Sequence, residues 1–387
     1  MPGQDDRDAM YAYYFYRLIQ RAENITAVYT TAKEDLGAGE QSRYGYQLLY
    51  DLQLDVKKGN IAFPFLNDPP EPIRVKNSSD FIKFLLKRNS INNPLSPTAI
   101  NSYLKCSLKF YFRYILQLPE PEEVKDEIDS LLFGNIFHES AEKLYRPFVG
   151  KWVRKSDLES LKKNKELIKN IINKAILKYY HKQESDRQKE FQPEGKTILI
   201  FENVKTFLNR VVELDMQYVP FKIISLEEGY CSSINICLEN REQIIYLGGK
   251  IDRVDSVNDT LRVIDYKTGN VDSFSFNEVS ELFNSKNKLK KELLQALLYC
   301  FFLKEKAGYA ESFQPVIYSL KRFFDNKFAP EIKYQKQEVC YQEIESEFTG
   351  HLKVFLEGLF STEAIFDQTT DYDFCKYCPY RKICQRF

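Results

Sequence analysis

Histidine is scarce in this chain, with 3 among 387 residues, and net charge is absent, since 55 Lys and Arg balance 55 Asp and Glu. A neutral total does not advertise a polyanionic partner, so any nucleic-acid path has to be a local basic surface. No apolar run is long enough to cross a bilayer, and the opening residues lack a signal-peptide pattern. Both absences point to a cytoplasmic, reducing setting with no membrane partner. There is no G-x-x-x-x-G-K-[ST], hence no recognisable phosphate-cradling loop of a motor. A second C-x2-C pair, which a zinc ribbon usually shows, is missing too. In a reducing setting the 8 cysteines read as core residues or metal ligands rather than disulfides. What remains is a globular composition, 43% hydrophobic and 14% aromatic, long enough for two domains or one elaborated domain.

The chemistry concentrates in YLGGKIDRVDSVNDTLRVIDYKTGN, residues 246–270. Apolar runs at 244–251 and 261–266 flank a polar turn at 256–259, which predicts a β-hairpin. The first strand carries Asp252 near its end; the second carries Asp265 and Lys267, two apart and so on one face. Two carboxylates and a lysine meeting at strand ends suit a divalent cation working on a phosphodiester. The cation offsets the phosphate charge and activates water, and an ammonium holds that water or the developing charge. An exposed, salt-bridged hairpin would explain Asp-x-Lys equally well. Two neighbours tip the reading towards a nuclease centre. Asp265 lies in the apolar run Val263-Ile264-Asp265-Tyr266, where an ionised carboxylate needs a partner, and Gly248-Gly249 leaves room for close approach.

Around the hairpin, a dense aromatic opening (Tyr11 to Tyr16) reads as core, residues 25–30 as a strand and 42–54 as a helix. Residues 60–97, rich in proline and polar residues, read as a linker interrupted by a short helix near 79–88. Ser96 then caps a new helix with Pro97 at its first position. Residues 128–145 form an apolar-periodic helix bearing His138. Residues 151–182 read as helical and basic through Arg154, Lys155, Lys162, Lys163 and Lys165, either a solvated face or a DNA-tracking one. A helix at 197–219 precedes strands at 221–231 and 233–238, the first with Glu227 and Glu228, of which Glu228 is the candidate acid. A helix at 284–306 begins with Lys286, Lys288, Lys290 and Lys291 and places Gln295 and Tyr299 on one face. A central strand at 314–320 completes the sheet. Last comes C-x2-C-x5-C, Cys375, Cys378 and Cys384, a three-thiolate cradle whose fourth ligand must be Cys106, Cys231, Cys237, Cys300 or Cys340.

GGKIDRVD followed by VIDYKTG resembles the core of the RecB family of PD-(D/E)xK nucleases. The resemblance implies an α/β, restriction-endonuclease-like mixed sheet flanked by helices. It also implies Mg2+ or Mn2+ held by His138, Asp252, Asp265 and the Tyr266 carbonyl, catalysis by Lys267, and support from Gln295 and Tyr299. Within that family the cysteine spacing is similar to the AddB-type helicase–nuclease subunits. There it implies a [4Fe–4S] cluster on Cys106, Cys375, Cys378 and Cys384, an iron–sulfur staple joining the domain ends, with zinc as the alternative metal. Residues 1–60, with Glu40-Gln41-Ser42-Arg43 after a Gly-containing loop, resemble the remnant of a non-motor superfamily I helicase-like domain. The expected layout is that remnant at 1–60, a linker at 61–94 and a nuclease domain at 95–387, the C-terminal part of a longer protein. The implied function is a metal-dependent exonuclease on single-stranded DNA in double-strand-break processing, fed by an AddA-type helicase. The rival reading is a catalytically idle, cluster-stabilised DNA-binding or assembly module.

Overall fold

A computed structural model describes residues 4–29, 41–52, 56–57, 59, 71–121, 130–181, 191–284, 289–307, 312–325 and 328–386. The chain divides into two compact units, 1–69 and 70–387. The first contains a helix, Gln4–Ile19, and a helical stretch made of Arg43–Tyr46 and a wide turn Gln47–Asp51. Phe15 stacks on Tyr44 with centroids 4.8 Å apart, and the Tyr16 hydroxyl donates to Gln47 Oε1 at 2.9 Å. Two expectations fail here. Tyr11, Tyr13 and Tyr14 are exposed rather than core. Residues 25–29 are irregular, with Ile25, Val28 and Tyr29 exposed and paired to no strand among the described residues. Glu40 and the proline cluster at 67–70 lie outside the described residues.

The second unit holds, among the described residues, ten strands: β1 (Arg74–Lys76), β2 (Trp152–Val153), β3 (Phe221–Leu238), β4 (Arg241–Val257), β5 (Thr260–Lys267), β6 (Ser275–Phe276), β7 (Ser312–Ser319), β8 (Lys333–Tyr334), β9 (Gln337–Glu338) and β10 (Ile365–Asp367). Its main sheet runs β2-β3-β4-β5-β7, antiparallel except for the parallel β5–β7 pair. That parallel pair needs a crossover, and the helix Lys291–Ala307 supplies it. Asn240 and Asn258, with their neighbours Glu239 and Asp259, all have positive φ between 47 and 63°. Two-residue turns with both φ positive match the twist of the flanking strands, and Asn and Asp tolerate that region.

Three elements differ from expectation. Residues 221–238 form one strand, because Cys231 and Ser232 stay paired to Gly248 and Leu247 across the expected break. β7 ends the sheet order instead of lying centrally, its outer side met by a bridge from Val316 to Glu331. The basic helix is two helices, Lys155–Lys163 and Lys165–Tyr179, because the Asn164 side chain accepts from Leu167 N–H at 3.0 Å and starts a new one. Ser96 caps as expected, accepting from Ala99 N–H at 3.2 Å, with Pro97 following.

Helices flank both faces of the sheet. One core gathers Ile136, Leu144, Ile172, Leu208 and Ile264 under Ser130–Tyr145, Lys165–Tyr179 and Lys196–Asp215. The other gathers Ile100, Phe110, Val254, Val263, Leu297 and Phe348 under Pro97–Lys105, Lys291–Ala307 and Tyr341–Leu359. Residues 74–77, inside the expected linker, join this unit: β1 pairs with β10, and the Asn77 amide donates to the Leu359 and Ser361 carbonyls at 3.2 and 2.9 Å.

Candidate metal centre

β4 and β5 are joined by the two-residue turn at Asn258-Asp259, which fixes Val257 opposite Thr260 and Arg253 opposite Ile264. One step further sets Asp252 opposite Asp265. The alternation of the pleat then turns Asp252, Asp265 and Lys267 to one face, as the spacing predicts. Asp252 Oδ2 accepts from the Tyr266 N–H at 2.7 Å, so the backbone of β5 orients this carboxylate. On the crossover helix Gln295 reaches the same place. Lys267 Nζ donates to Asp265 Oδ1 and Gln295 Oε1, each at 3.0 Å. Gln295 Nε2 in turn donates to Asp265 Oδ1 at 3.2 Å and to the Tyr299 hydroxyl at 2.6 Å.

His138 approaches from the helix Ser130–Tyr145, its Nδ1 lying 3.2 Å from Glu227 Oε1 and 3.3 Å from Asp252 Oδ1. His138, Glu227 and Asp252 thus offer three ligand atoms within 4.8 Å of one another. Glu227, not Glu228, is the acid that enters the site; the Glu228 carboxylate instead accepts from the Tyr230 hydroxyl at 3.3 Å. Glu227 stands at φ 50°, in the left-handed region. The signal that finds it is the hairpin arithmetic. Leu238 pairs with Arg241 across the Glu239-Asn240 turn, and eleven residues back along each strand Glu227 meets Asp252. Lys250, two residues before Asp252, closes on Glu227 Oε2 at 2.8 Å.

At His138, Asp252, Asp265 and Lys267 burial and ion pairing compete, and burial prevails only at Asp265. It pushes Asp265 up to about 6, with the Asp252 charge adding and Lys267 opposing. Burial works against a charged His138 too, yet the Asp252 and Glu227 carboxylates outweigh it and raise the imidazole to about 10. The same ion pair holds Asp252 below its ordinary value despite its burial. Lys267 is raised as well, because Asp265 and Asp252 more than offset its burial. It therefore remains an ammonium, a donor rather than a base. Asp265 Oδ2, buried, is ion-paired with that ammonium at 2.8 Å. The His138 imidazole with the Glu227 and Asp252 carboxylates is a donor set that suits a hard divalent cation, and Asp265 stands on the neighbouring strand opposite Asp252.

A second cluster forms at the chain's last residues. Cys106, Cys375, Cys378 and Cys384 line one small cavity with Lys109, Phe374 and Arg386. Burial, and then the proximity of Cys106 and Cys375, push the Cys378 and Cys384 thiols up. Cations balance them: Arg386 Nη1 lies 3.5 Å from Cys375 Sγ, and Lys105 and Lys109 both cover the Phe374 ring. Among the described residues no three of these sulfurs approach within 4.8 Å of one another. Cys231, Cys237, Cys300 and Cys340 do not line this cavity. Around it the backbone ends are already tied, since Ser107 Oγ bonds Asp367 N–H at 2.8 Å and the Tyr380 hydroxyl bonds the Leu118 carbonyl at 2.8 Å.

The family model of the PD-(D/E)XK nuclease superfamily matches residues 94–385. A curated ATP-dependent helicase/deoxyribonuclease subunit from Carboxydothermus hydrogenoformans is 24% identical over 382 residues, covering 81% of this chain and 33% of that protein. Its counterpart in Clostridium perfringens is 26% identical over 235 residues, 58% of this chain and 20% of that protein. That of Alkaliphilus metalliredigens is 27% identical over 196 residues, 49% of this chain and 17% of that protein. The chain thus spans between 17% and 33% of the length of these relatives.

Proposed function

With residues 94–385 matched, the chain belongs to the PD-(D/E)XK nuclease superfamily, and on that premise we propose that it is a Mg2+- or Mn2+-dependent exonuclease on single-stranded DNA. One observation carries the proposal: a buried Asp265 held by half-buried Lys267 and Gln295, set one strand from the His138–Glu227–Asp252 trio. In this reading His138, Glu227, Asp252 and Asp265, with the Tyr266 carbonyl, hold the cation. When bound, the cation supplies Lewis-acid charge at the phosphate and a lowered pKa for water. Lys267 remains protonated and holds the attacking water or the charge that develops on the phosphate. Gln295 fixes the Lys267 ammonium through its carbonyl and Asp265 through its amide, and Tyr299 holds that amide in place. Digestion of end-labelled single-stranded DNA, with Mg2+ supplied or chelated, tests the reading; stepwise loss of terminal nucleotides only with Mg2+ is expected. Internal cuts would refute the exonuclease assignment, and no cleavage would refute the enzyme.

The relatives' names pair a helicase with a deoxyribonuclease. They support a place for this chain in such a complex, with an AddA-type helicase as partner, in double-strand-break processing and recombinational repair. We assign residues 1–60 to a helicase-domain remnant on the same basis; of the expected connection at 61–94, the part from residue 70 onward belongs to the second unit. A cytoplasmic location fits eight free cysteines; no described helix is long and apolar enough to cross a membrane.

Metal affinity should depend steeply on pH. In the metal-free site His138 keeps its proton up to about pH 10, and a ligating imidazole must lose it. Affinity for Mn2+ is therefore expected to rise as pH rises from 7 to 9, by up to about tenfold per unit for one proton released. Below about pH 6 the slope steepens as Asp265 also holds a proton. A His138→Asn variant should bind more weakly and with a flatter slope. Titration calorimetry giving one affinity across that range would refute the assignment of His138.

We read the four cysteines as the all-thiolate ligand set of a [4Fe–4S] cluster, as the family resemblance implies, with zinc as the alternative metal. When bound, the cluster supplies a covalent tie between the first helix of the domain and its last residues. Lys109 and Arg386 balance its charge. Because the tie closes a very long loop, its value is entropic and structural. Cys384→Ser is expected to abolish visible absorption near the cluster band and lower the melting temperature by about 5 °C or more. Colourless intact protein containing stoichiometric zinc would overturn the iron assignment.

A further inference from the structure

The chain's single tryptophan, Trp152, is 56% exposed on the outermost strand of the sheet. Nothing in the catalytic group uses it. β2 is two residues long, and the register of its pair with β3 sets Trp152 opposite Lys222 and Val153 opposite Phe221. Val153 and Phe221 are fully buried in the core beneath Ser130–Tyr145. Trp152 and Lys222 therefore stand on the other face. Lys222 pairs in turn with Ser256 of β4, four residues from Asp252 and, by the alternation of the pleat, on the same face. Trp152 thus shares a sheet face with the metal centre. Four residues of strand are about 13 Å and two strand spacings about 10 Å, a separation on the order of a few nucleotides.

Between them the surface continues. The register of β3 shifts between Ile223 and Ser225, so Ile224 is the extra residue of a bulge. It is 41% exposed and follows Ile223, whose carbonyl accepts from the Gly150 N–H at 2.8 Å, on the way to Glu227. The rim of the patch is basic: Lys151, Arg154 and Lys155 are exposed beside Trp152, and Lys222 is half-buried. The nearest carboxylate in sequence, Asp157, is turned to the Arg154 N–H at 2.8 Å. A large exposed π-face ringed by cations is how proteins hold unpaired bases, with stacking on the ring and phosphates on the lysines.

We propose that Trp152 is a base-stacking step for the single strand, a few nucleotides from the scissile bond, with Lys222 and Arg154 holding the adjacent phosphates. The inference deepens the nuclease reading and rests on it. The charge complementarity favours nucleic acid over a protein partner, for which an exposed tryptophan alone would serve as well.

Because Trp152 is the only tryptophan, intrinsic fluorescence reports on it directly. Adding oligo(dT) to the intact chain without divalent cation is expected to quench and saturate that fluorescence. Trp152→Ala should raise KM for single-stranded DNA about tenfold, as loss of one stacked base implies, with kcat nearly kept; Trp152→Phe should recover most of the loss. Cleavage of oligo(dT) by a chain whose fluorescence does not respond, or an unchanged KM in Trp152→Ala, overturns the stacking step and leaves the nuclease reading intact. Absence of both cleavage and quenching overturns both. A fluorescence change on adding a helicase partner, with none on adding DNA, assigns the patch to protein docking and overturns the stacking step.

Discussion

Lys267→Ala is expected to cut cleavage of single-stranded DNA by about 10²–10³-fold while leaving Mn2+ binding nearly unchanged. Asp265→Asn is expected to abolish cleavage and weaken the metal as well. The two differ because the groups do different work. Lys267 is a half-buried ammonium whose neighbours, Asp265 and Asp252, keep it charged, so in the proposed mechanism it meets the phosphate as a point cation. Asp265, whose two oxygens lie 3.0 and 2.8 Å from the Lys267 ammonium, would in the proposed mechanism also give an oxygen to the cation. Lys267→Arg should not rescue activity, because a planar fork cannot take the place of a compact ammonium held between Asp265 and Gln295. Gln295→Ala should fall between, near tenfold, since it frees the ammonium without removing it. Rates in single-turnover digestion and Mn2+ affinities by calorimetry separate these outcomes. Cleavage by Lys267→Ala within threefold of the intact chain would remove this lysine from the mechanism.

Those residues were legible in the sequence because strand alternation and helix spacing are local rules. Asp265 and Lys267 are two apart on a strand, Gln295 and Tyr299 four apart on a helix, and each pair came out on a common face. The C-x2-C-x5-C run was legible as it stands, but the choice of Cys106 as its fourth member followed from a family resemblance, since spacing left five candidates. Glu227 was missed for a different reason. It lies beside Glu228, and which of two adjacent acids faces the site depends on the register of a long hairpin and on a left-handed φ at Glu227 itself. The failed strand at 25–29 shows the opposite limit: β-prone residues do not make a strand without a neighbour to pair with. Least legible of all was the ionic group behind the site. Asp215, Arg253, Asp255 and Arg262 come from a helix and two strands, and no local period announces that charges will share a core.

That group yields the largest expected loss of stability. Arg253 follows Asp252 on β4, so it points to the opposite face, where it is fully buried. Its Nη1 donates to Asp215 Oδ2 at 2.7 Å and its Nη2 to Asp255 Oδ2 at 2.5 Å. Arg262 Nε and Nη2 hold the other side of Asp255 at 2.8 and 2.9 Å, and the Tyr145 and Tyr318 hydroxyls complete Asp215 at 2.5 and 2.8 Å. Two cations and two anions cancel, and the aromatic faces of Tyr145 and Phe221 cover the Arg253 guanidinium at 4.7 and 4.9 Å. Arg253→Met keeps the apolar volume but leaves Asp215 with hydroxyl partners alone and the network one cation short. Breaking a buried pair in this way costs about 3–5 kcal/mol. In a unit of this size that lowers the melting temperature by roughly 10 °C. Adding Asp215→Asn to Arg253→Met should recover part of the loss, because the orphaned charge and not the missing contact is the main penalty. Thermal unfolding of the three variants decides it: a single substitution that melts within 2 °C of the intact chain, or a double variant that melts lower than the single, would mean the carboxylate had found another partner. Since Asp252 is the neighbouring residue on β4, the same substitution should also weaken metal binding at temperatures where the chain is still folded, which ties the charge hidden on one face of the sheet to the chemistry displayed on the other.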